Sequence, residues 1–138
     1  MTPVRAYVAL GSNLGDRHAR LALARERLAG LPGTSLRAAT SIEETAPLGG
    51  LEQPAYLNQM VALDTCLGAR ELLLACHAIE AEAGRERRVR WESRSLDLDL
   101  VRYDALEMDE PGLRLPHPGL STREFWLREL QELHRMGW

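Results

Sequence analysis

Asp97 and Asp99 are separated by a single leucine in the run Leu96-Asp97-Leu98-Asp99-Leu100. In a β-strand, residues two apart point to the same face. The three leucines then face a core, and the two carboxylates stand side by side on the other face, about 7 Å apart at Cα. At an effective dielectric of 20, two unit charges at that distance repel by roughly 2 kcal/mol. A cation between them relieves the repulsion. Oxygen-only ligands favour Mg2+, which typically takes one or two carboxylates together with substrate phosphates. Taken alone, the pair also fits the polar outer face of a half-exposed strand.

The residues just before this strand add to the first reading. Arg85, Arg87, Arg88, Arg90 and Arg94 bring five guanidiniums into ten residues, against Glu86 and Glu92. A polyphosphate carrying Mg2+ satisfies both segments, the metal meeting the carboxylates and the guanidinium forks meeting phosphate oxygens. Trp91, inside the cluster, can stack on a base or ring. Alone, the arginines suggest a solvated loop paired with its own acids, or a nucleic-acid patch. Beside the paired aspartates, a polyphosphate site accounts for more of the residues.

Other candidates are less specific. His117, held between Pro116 and Pro118, can donate to a phosphate or act as an acid, or be an ordinary turn histidine. Arg123 and Phe125 flank a helix start, where amide N–H groups favour anions; a lone Phe also fits a core. Tyr56 offers a ring face, and Asn58 offers a donor and an acceptor. Together they suit an aromatic heterocycle with an amide edge, or Tyr56 is a strand-entry residue packed on the core. Gly11 to Gly15 lacks the lysine of a phosphate loop and reads as a structural strand-to-helix turn.

Composition sets outer limits. The chain has 138 residues, a net charge of −3, 45% apolar and 27% charged residues. This is the size of one domain, residues 1–138, able to bury a core, with no global basic field for nucleic acid or membrane. No apolar run approaches the roughly 20 residues of a membrane span. The first ten residues lack signal-peptide features, so the expected location is cytoplasmic. All 17 basic residues are arginine, which excludes a lysine-dependent phosphate loop or Schiff base. Cys66 and Cys76 look like small core residues, and His18, His77, His117 and His134 have no zinc-ligand spacing.

The elements that must position these residues follow from periodicity. Val4 to Leu10 reads as a buried strand ending at Gly11. Asp16 caps a helix running to about Gly30, with Leu21, Ala24 and Leu28 on one face. Thr34 to Glu44 reads as a second strand, Ala46 to Pro54 as a loop, and Leu57 to Leu67 as a third strand. A helix spans Ala69 to Ala83, turning Leu72, Leu73, Cys76, Ile79 and Ala83 inward. After the charged loop, Leu96 to Tyr103 is a fourth strand. A short connection and a turn at Pro116 to Gly119 lead to a last helix, from Ser121 or Thr122 to His134. The order strand, helix, strand, strand, helix, strand implies an α+β, ferredoxin-like split βαβ fold: a mainly antiparallel sheet with helices packed on one face.

Five ordered blocks carry a resemblance. Ala9-Leu10-Gly11-Ser12-Asn13-Leu14-Gly15, Thr45-Ala46-Pro47-Leu48-Gly49, Gln53-Pro54-Ala55-Tyr56-Leu57-Asn58, Arg94-Ser95-Leu96-Asp97-Leu98-Asp99 and Pro116-His117-Pro118 together resemble the 6-hydroxymethyl-7,8-dihydropterin pyrophosphokinases of folate biosynthesis. The resemblance implies a ferredoxin-like fold and transfer of the β,γ-pyrophosphate of ATP to the pterin hydroxymethyl oxygen, releasing AMP. It implies that Asp97 and Asp99 hold two Mg2+ ions on the triphosphate of the co-substrate ATP. Arg85 and Arg94 would bind phosphates from a mobile loop that Trp91 helps to close. Glu80, His117 and Arg123 would lie on the nucleotide side. Asn58 would bond the pterin edge, Tyr56 and Phe125 would sandwich its ring, and backbone groups at Thr45 and Leu48 would complete the pocket. A monomer without nucleic-acid or membrane partners is expected. The sequence departs from the family pattern with Glu92 for a usual Gly, Glu43 for a usual Tyr and Glu129 for a usual Pro.

Two rival readings remain at this level. One is another Mg2+-dependent nucleotidyl or phosphodiester enzyme, which the Tyr56–Asn58 block disfavours. The other is an RNA-binding ferredoxin-like module using the arginine loop, disfavoured by the negative charge and few aromatics.

Overall fold

A computed structural model describes residues 2–46, 55–84 and 96–138. In chain order these form β1 (Val4–Ser12), α1 (Arg17–Ala29), β2 (Thr34–Ala39), β3 (Glu43–Thr45), β4 (Tyr56–Thr65), α2 (Ala69–Gly84), β5 (Asp97–Tyr103), β6 (Met108–Glu110), β7 (Leu113–Leu115), a 3-10 turn (Pro118–Ser121) and α3 (Glu124–Arg135). The main sheet runs β2-β4-β1-β5, with β3 also pairing β4, and every pairing is antiparallel. This is the expected α+β split βαβ arrangement.

Local signals place the helices. The Asp16 side chain accepts the Ala19 N–H at 3.0 Å and starts α1, and Gly30 follows its last turn. In α2 the buried positions Leu72, Cys76, Ile79 and Ala83 recur at helical spacing, so one stripe faces the sheet. Burial pushes the Cys76 thiol up to about 12, as befits a core residue rather than a nucleophile.

Strand alternation splits the interior in two. Ala6, Val8, Leu10, Val61, Leu63, Leu96, Leu98 and Leu100 pack with α1 and α2. Tyr7, Ala9, Met60, Ala62 and Val101 pack with Trp126, Leu130 and Leu133 of α3. The helices therefore do not all share one face. A third apolar stripe, at i, i+4 and i+7 of α3, covers the opposite side of the sheet.

Three other expectations need correction. β1 does not stop before Gly11, because Gly11 and Ser12 still pair with Asn58 and Leu57. The strand expected over Thr34 to Glu44 is broken. Thr40 donates its N–H to the Met60 carbonyl (2.9 Å) and accepts the Met60 N–H on its hydroxyl (3.0 Å), so a side chain takes a ladder position. The connection after β5 holds a hairpin, β6 with β7, closed by Pro111 and Gly112, the latter at φ 77°. Pro followed by Gly at positive φ suits a tight turn. Among the described residues, no helix is long and apolar enough to cross a membrane.

Candidate functional site

Strand register brings the separated candidates together. Gly11 of β1 pairs with Asn58 of β4 on one side and with Asp97 of β5 on the other. Ala9, two residues back, pairs with Met60 and Asp99. All of these share the α3 face of the sheet. Helix α3 covers that face over Met60, Ala62 and Val101, and the other end opens as a cavity of about 280 Å³. Its walls are Thr45 of β3, Tyr56 and Asn58 of β4, Asp97 and Asp99 of β5, and Arg123, Phe125 and Trp126 at the start of α3.

The floor depends on Gly11. A Cβ there would lie 3.3 Å from Asn58 Oδ1 and 3.6 Å from Tyr56 Cδ1. Gly11 is thus part of the site rather than only of a turn. Asn58 is 7% exposed, and its Nδ2 donates to the Thr45 hydroxyl. That bond ties β3 to β4 and fixes the amide against the cavity.

The aspartates stand as alternation requires. Leu96, Leu98 and Leu100 are buried in the α1/α2 core, while Asp97 and Asp99 are partly exposed. His117 Nε2 lies 3.5 Å from Asp99 Oδ1. The Gly119 N–H donates to His117 Nδ1 at 2.8 Å, so a neutral ring carries its proton on Nε2, toward Asp99. The His117 N–H donates to the Val101 carbonyl at 2.9 Å, anchoring the turn to β5. His117 meets Trp126 edge-on, with centroids 5.0 Å apart, and the Arg123 guanidinium sits 4.5 Å over the same indole.

Asp99 also borders a second cavity of about 460 Å³. This one lies between α2 (Leu73, His77, Glu80), β5 (Leu98, Leu100), β7 (Leu113, Arg114) and His117. Glu80 Oε2 accepts the Leu98 N–H at 2.8 Å. The carboxylate therefore caps a backbone donor of β5, the strand at the end of the sheet, while it faces the cavity.

Of the residues singled out in the sequence, Thr45, Tyr56, Asn58, Asp97, Asp99, Arg123 and Phe125 meet at the first cavity. Glu80 and His117 meet Asp99 at the second. Arg123, expected beside the nucleotide, lines the first cavity. Leu48, Arg85, Trp91 and Arg94 lie outside the described residues. Sequence reasoning passed over Trp126, His77 and Arg114. Trp126 follows Phe125 in a helix whose periodicity marks it as core. Arg114 sits in the unforeseen hairpin.

The arrangement joins two cavities through one carboxylate. One is walled by rings and an oriented amide, the other by leucines with ionisable groups at its edge. Such a geometry can hold two ligands with their reacting ends near Asp99. The model of the 7,8-dihydro-6-hydroxymethylpterin-pyrophosphokinase family matches residues 7–135. The chain is similar to a 2-amino-4-hydroxy-6-hydroxymethyldihydropteridine pyrophosphokinase of Methylorubrum extorquens, 42% identical over 94% of this chain and 82% of the relative. It is similar to those of Pseudomonas aeruginosa, 41% identical over 94% and 80%, and Bacillus subtilis, 39% identical over 93% and 77%.

Proposed function

The chain belongs to the 7,8-dihydro-6-hydroxymethylpterin-pyrophosphokinase family, and from that premise we propose how its residues divide the work. The reaction is pyrophosphoryl transfer from ATP to 6-hydroxymethyl-7,8-dihydropterin in folate biosynthesis, with release of AMP. The first cavity takes the pterin. Tyr56 and Phe125 bracket its ring, Asn58 bonds its amide edge, and Thr45 and Leu48 complete the pocket. The second takes the nucleotide, with Glu80 and His117 at its border. By the same reading Arg85 and Arg94 bind the phosphates, Trp91 belongs to the nucleotide side, and Arg123 lies at the junction. The observation that carries this division is Asp99 lining both cavities.

Asp97 and Asp99 suit Mg2+. Among the described residues no group of three or more His, Cys, Asp or Glu side chains assembles for a metal. By this reading the carboxylate pair is the protein side, and substrate oxygens and water would complete an all-oxygen set. Asp97 and Asp99 would hold the Mg2+, two ions by this reading, which would supply positive charge against the triphosphate. The hydroxymethyl oxygen attacks the β-phosphorus, the bond from that phosphorus to the oxygen bridging it to the α-phosphate breaks, AMP leaves with that oxygen, and the hydroxyl proton passes to water. The protein's share is to align the two substrates and stabilise charge on the transferred group. We assign no dedicated base. Five of the described strands form the main sheet and β6 and β7 a separate hairpin, and the reading is completed by a single domain over residues 1–138, monomeric and cytoplasmic.

The test is AMP release from ATP and Mg2+ with and without the pterin. Pterin-dependent AMP that disappears in Asp97→Ala, and on removal of divalent cations, is expected. ATP binding without pterin-dependent AMP would overturn the substrate assignment.

A further inference from the structure

Glu129 lies on α3, one turn beyond Phe125, and is 3% exposed. Neither of its carboxylate oxygens has a hydrogen-bond partner. The charged groups that face it are Glu43 on β3 and Arg128 and Glu132 on its own helix. Arg128 is engaged by Glu43 at 3.2 Å. Glu132 accepts the Ser41 N–H at 2.7 Å and the Ser41 hydroxyl at 3.0 Å. The strands under α3 present Met60 and Ala62 from β4, Tyr7 and Ala9 from β1 and Ala38 from β2. Of these only Tyr7 has a polar side-chain group, and its hydroxyl donates to the Trp138 carbonyl. Glu43 and Glu129 therefore interact where β3 and α3 approach. Among the described residues, an ionised Glu129 meets two like charges and one cation, Arg128, which Glu43 already engages. Buried carboxyls in such surroundings stay neutral.

The same two elements wall the pterin cavity. β3 supplies Thr45, which holds the Asn58 amide, and α3 supplies Phe125 and Trp126. We propose that Glu129 is a positioning residue for the pterin cavity: as a neutral acid it lets α3 seat beside β3, and its ionisation loosens that seating and weakens pterin binding. This rests on the first cavity being the pterin site. Burial, reinforced by Glu43, raises the Glu129 carboxyl to about 8. The group is then neutral in the folded protein at pH 7 and ionised in the unfolded chain above its ordinary value of 4.5. The unfolded state binds fewer protons across that window, so stability falls as pH rises from about 4.5 to about 8 and levels off above.

The experiment compares wild type with Glu129→Gln, and with Glu129→Met should the glutamine variant not fold. Pterin KM and kcat for AMP release are measured at pH 6.5 and 9. Melting temperature is followed from pH 5 to 9 without pterin. Relative to the variant, the wild-type KM is expected to rise roughly fivefold or more at pH 9, with the kcat ratio flat. The wild-type melting temperature should fall against the variant's between pH 5 and 8. Parallel KM profiles in wild type and variant would overturn the proposal while leaving the cavity assignment intact. Absence of pterin-dependent AMP at both pH values in wild type would sink the cavity assignment and this inference with it.

Discussion

The two faces of the sheet are built from the same strands and do opposite things. On the α1/α2 face, Val8, Leu10, Val61, Leu63, Leu98 and Leu100 are all buried and apolar. On the α3 face, the same strands offer Ala9 and Gly11, Asn58 and Met60, and Asp97, Asp99 and Val101. Two helices cover the first face as far as its β5 edge, where the second cavity opens beside Leu98 and Leu100. One helix closes only part of the second, over Met60, Ala62 and Val101. The apolar face stabilises the sheet and leaves a cavity only at its β5 edge, whereas the uncovered polar end of the other face lines the first cavity. Burial and charge are thereby sorted by residue parity within single strands, as in β5, where Leu98 and Leu100 are buried while Asp97 and Asp99 are partly exposed.

Four substitutions probe that separation. The largest effect is expected for Asp99→Asn, which removes charge from the carboxylate common to both cavities. Pterin-dependent kcat should fall about a thousandfold or more, with the melting temperature within a few degrees of wild type. A matching loss of stability would erase the contrast between faces. Leu63→Ala works on the other face. Leu63 is 0% exposed, and truncation should cost about 2–5 kcal/mol in denaturant unfolding. The folded fraction should keep its kcat.

Gly119→Ala sharpens the comparison at the turn. A Cβ there would lie 2.8 Å from Trp126 Cζ3 and 3.0 Å from His117 Nδ1, and would collide with the Arg123 guanidinium. Displacing these groups should lower kcat/KM by roughly tenfold to a hundredfold. An unchanged kcat/KM would show that His117 and Arg123 do not act through this geometry.

The smallest effect lies away from both cavities. Arg5 donates to Asp64 at 2.6 Å and Arg37 at 2.9 Å. The Arg5 hydrogen bond foremost, with Arg37, holds the Asp64 carboxyl below its usual range. Its contribution is present above the ordinary carboxylate pKa and is lost as pH falls through the depressed one. Asp64→Asn should therefore cost about 1 kcal/mol or less at pH 7, and the cost should shrink as pH falls below the ordinary carboxylate range. Activity should not change. A penalty that persists in acid would point to packing rather than charge.

Much of this was readable from sequence because the rules involved are local. Alternation in Leu96 to Leu100 determined which face the aspartates take. Asp16, Gly30 and the stripes in α1 and α2 determined those helices within a residue or two. The ordered blocks pointed to the chemistry before any geometry was known. What tertiary structure decided is non-local. Gly11 sits between Asn58 and Asp97 only because β1 pairs with both β4 and β5. An apolar stripe specifies that α3 packs, not on which side of the sheet. The break at Thr40 depends on Met60 of a neighbouring strand. The meeting of Glu43 and Glu129 depends on how far α3 extends over β3. Periods and caps are written within a few residues, whereas pairing and coverage are settled by segments that find one another only as the chain folds.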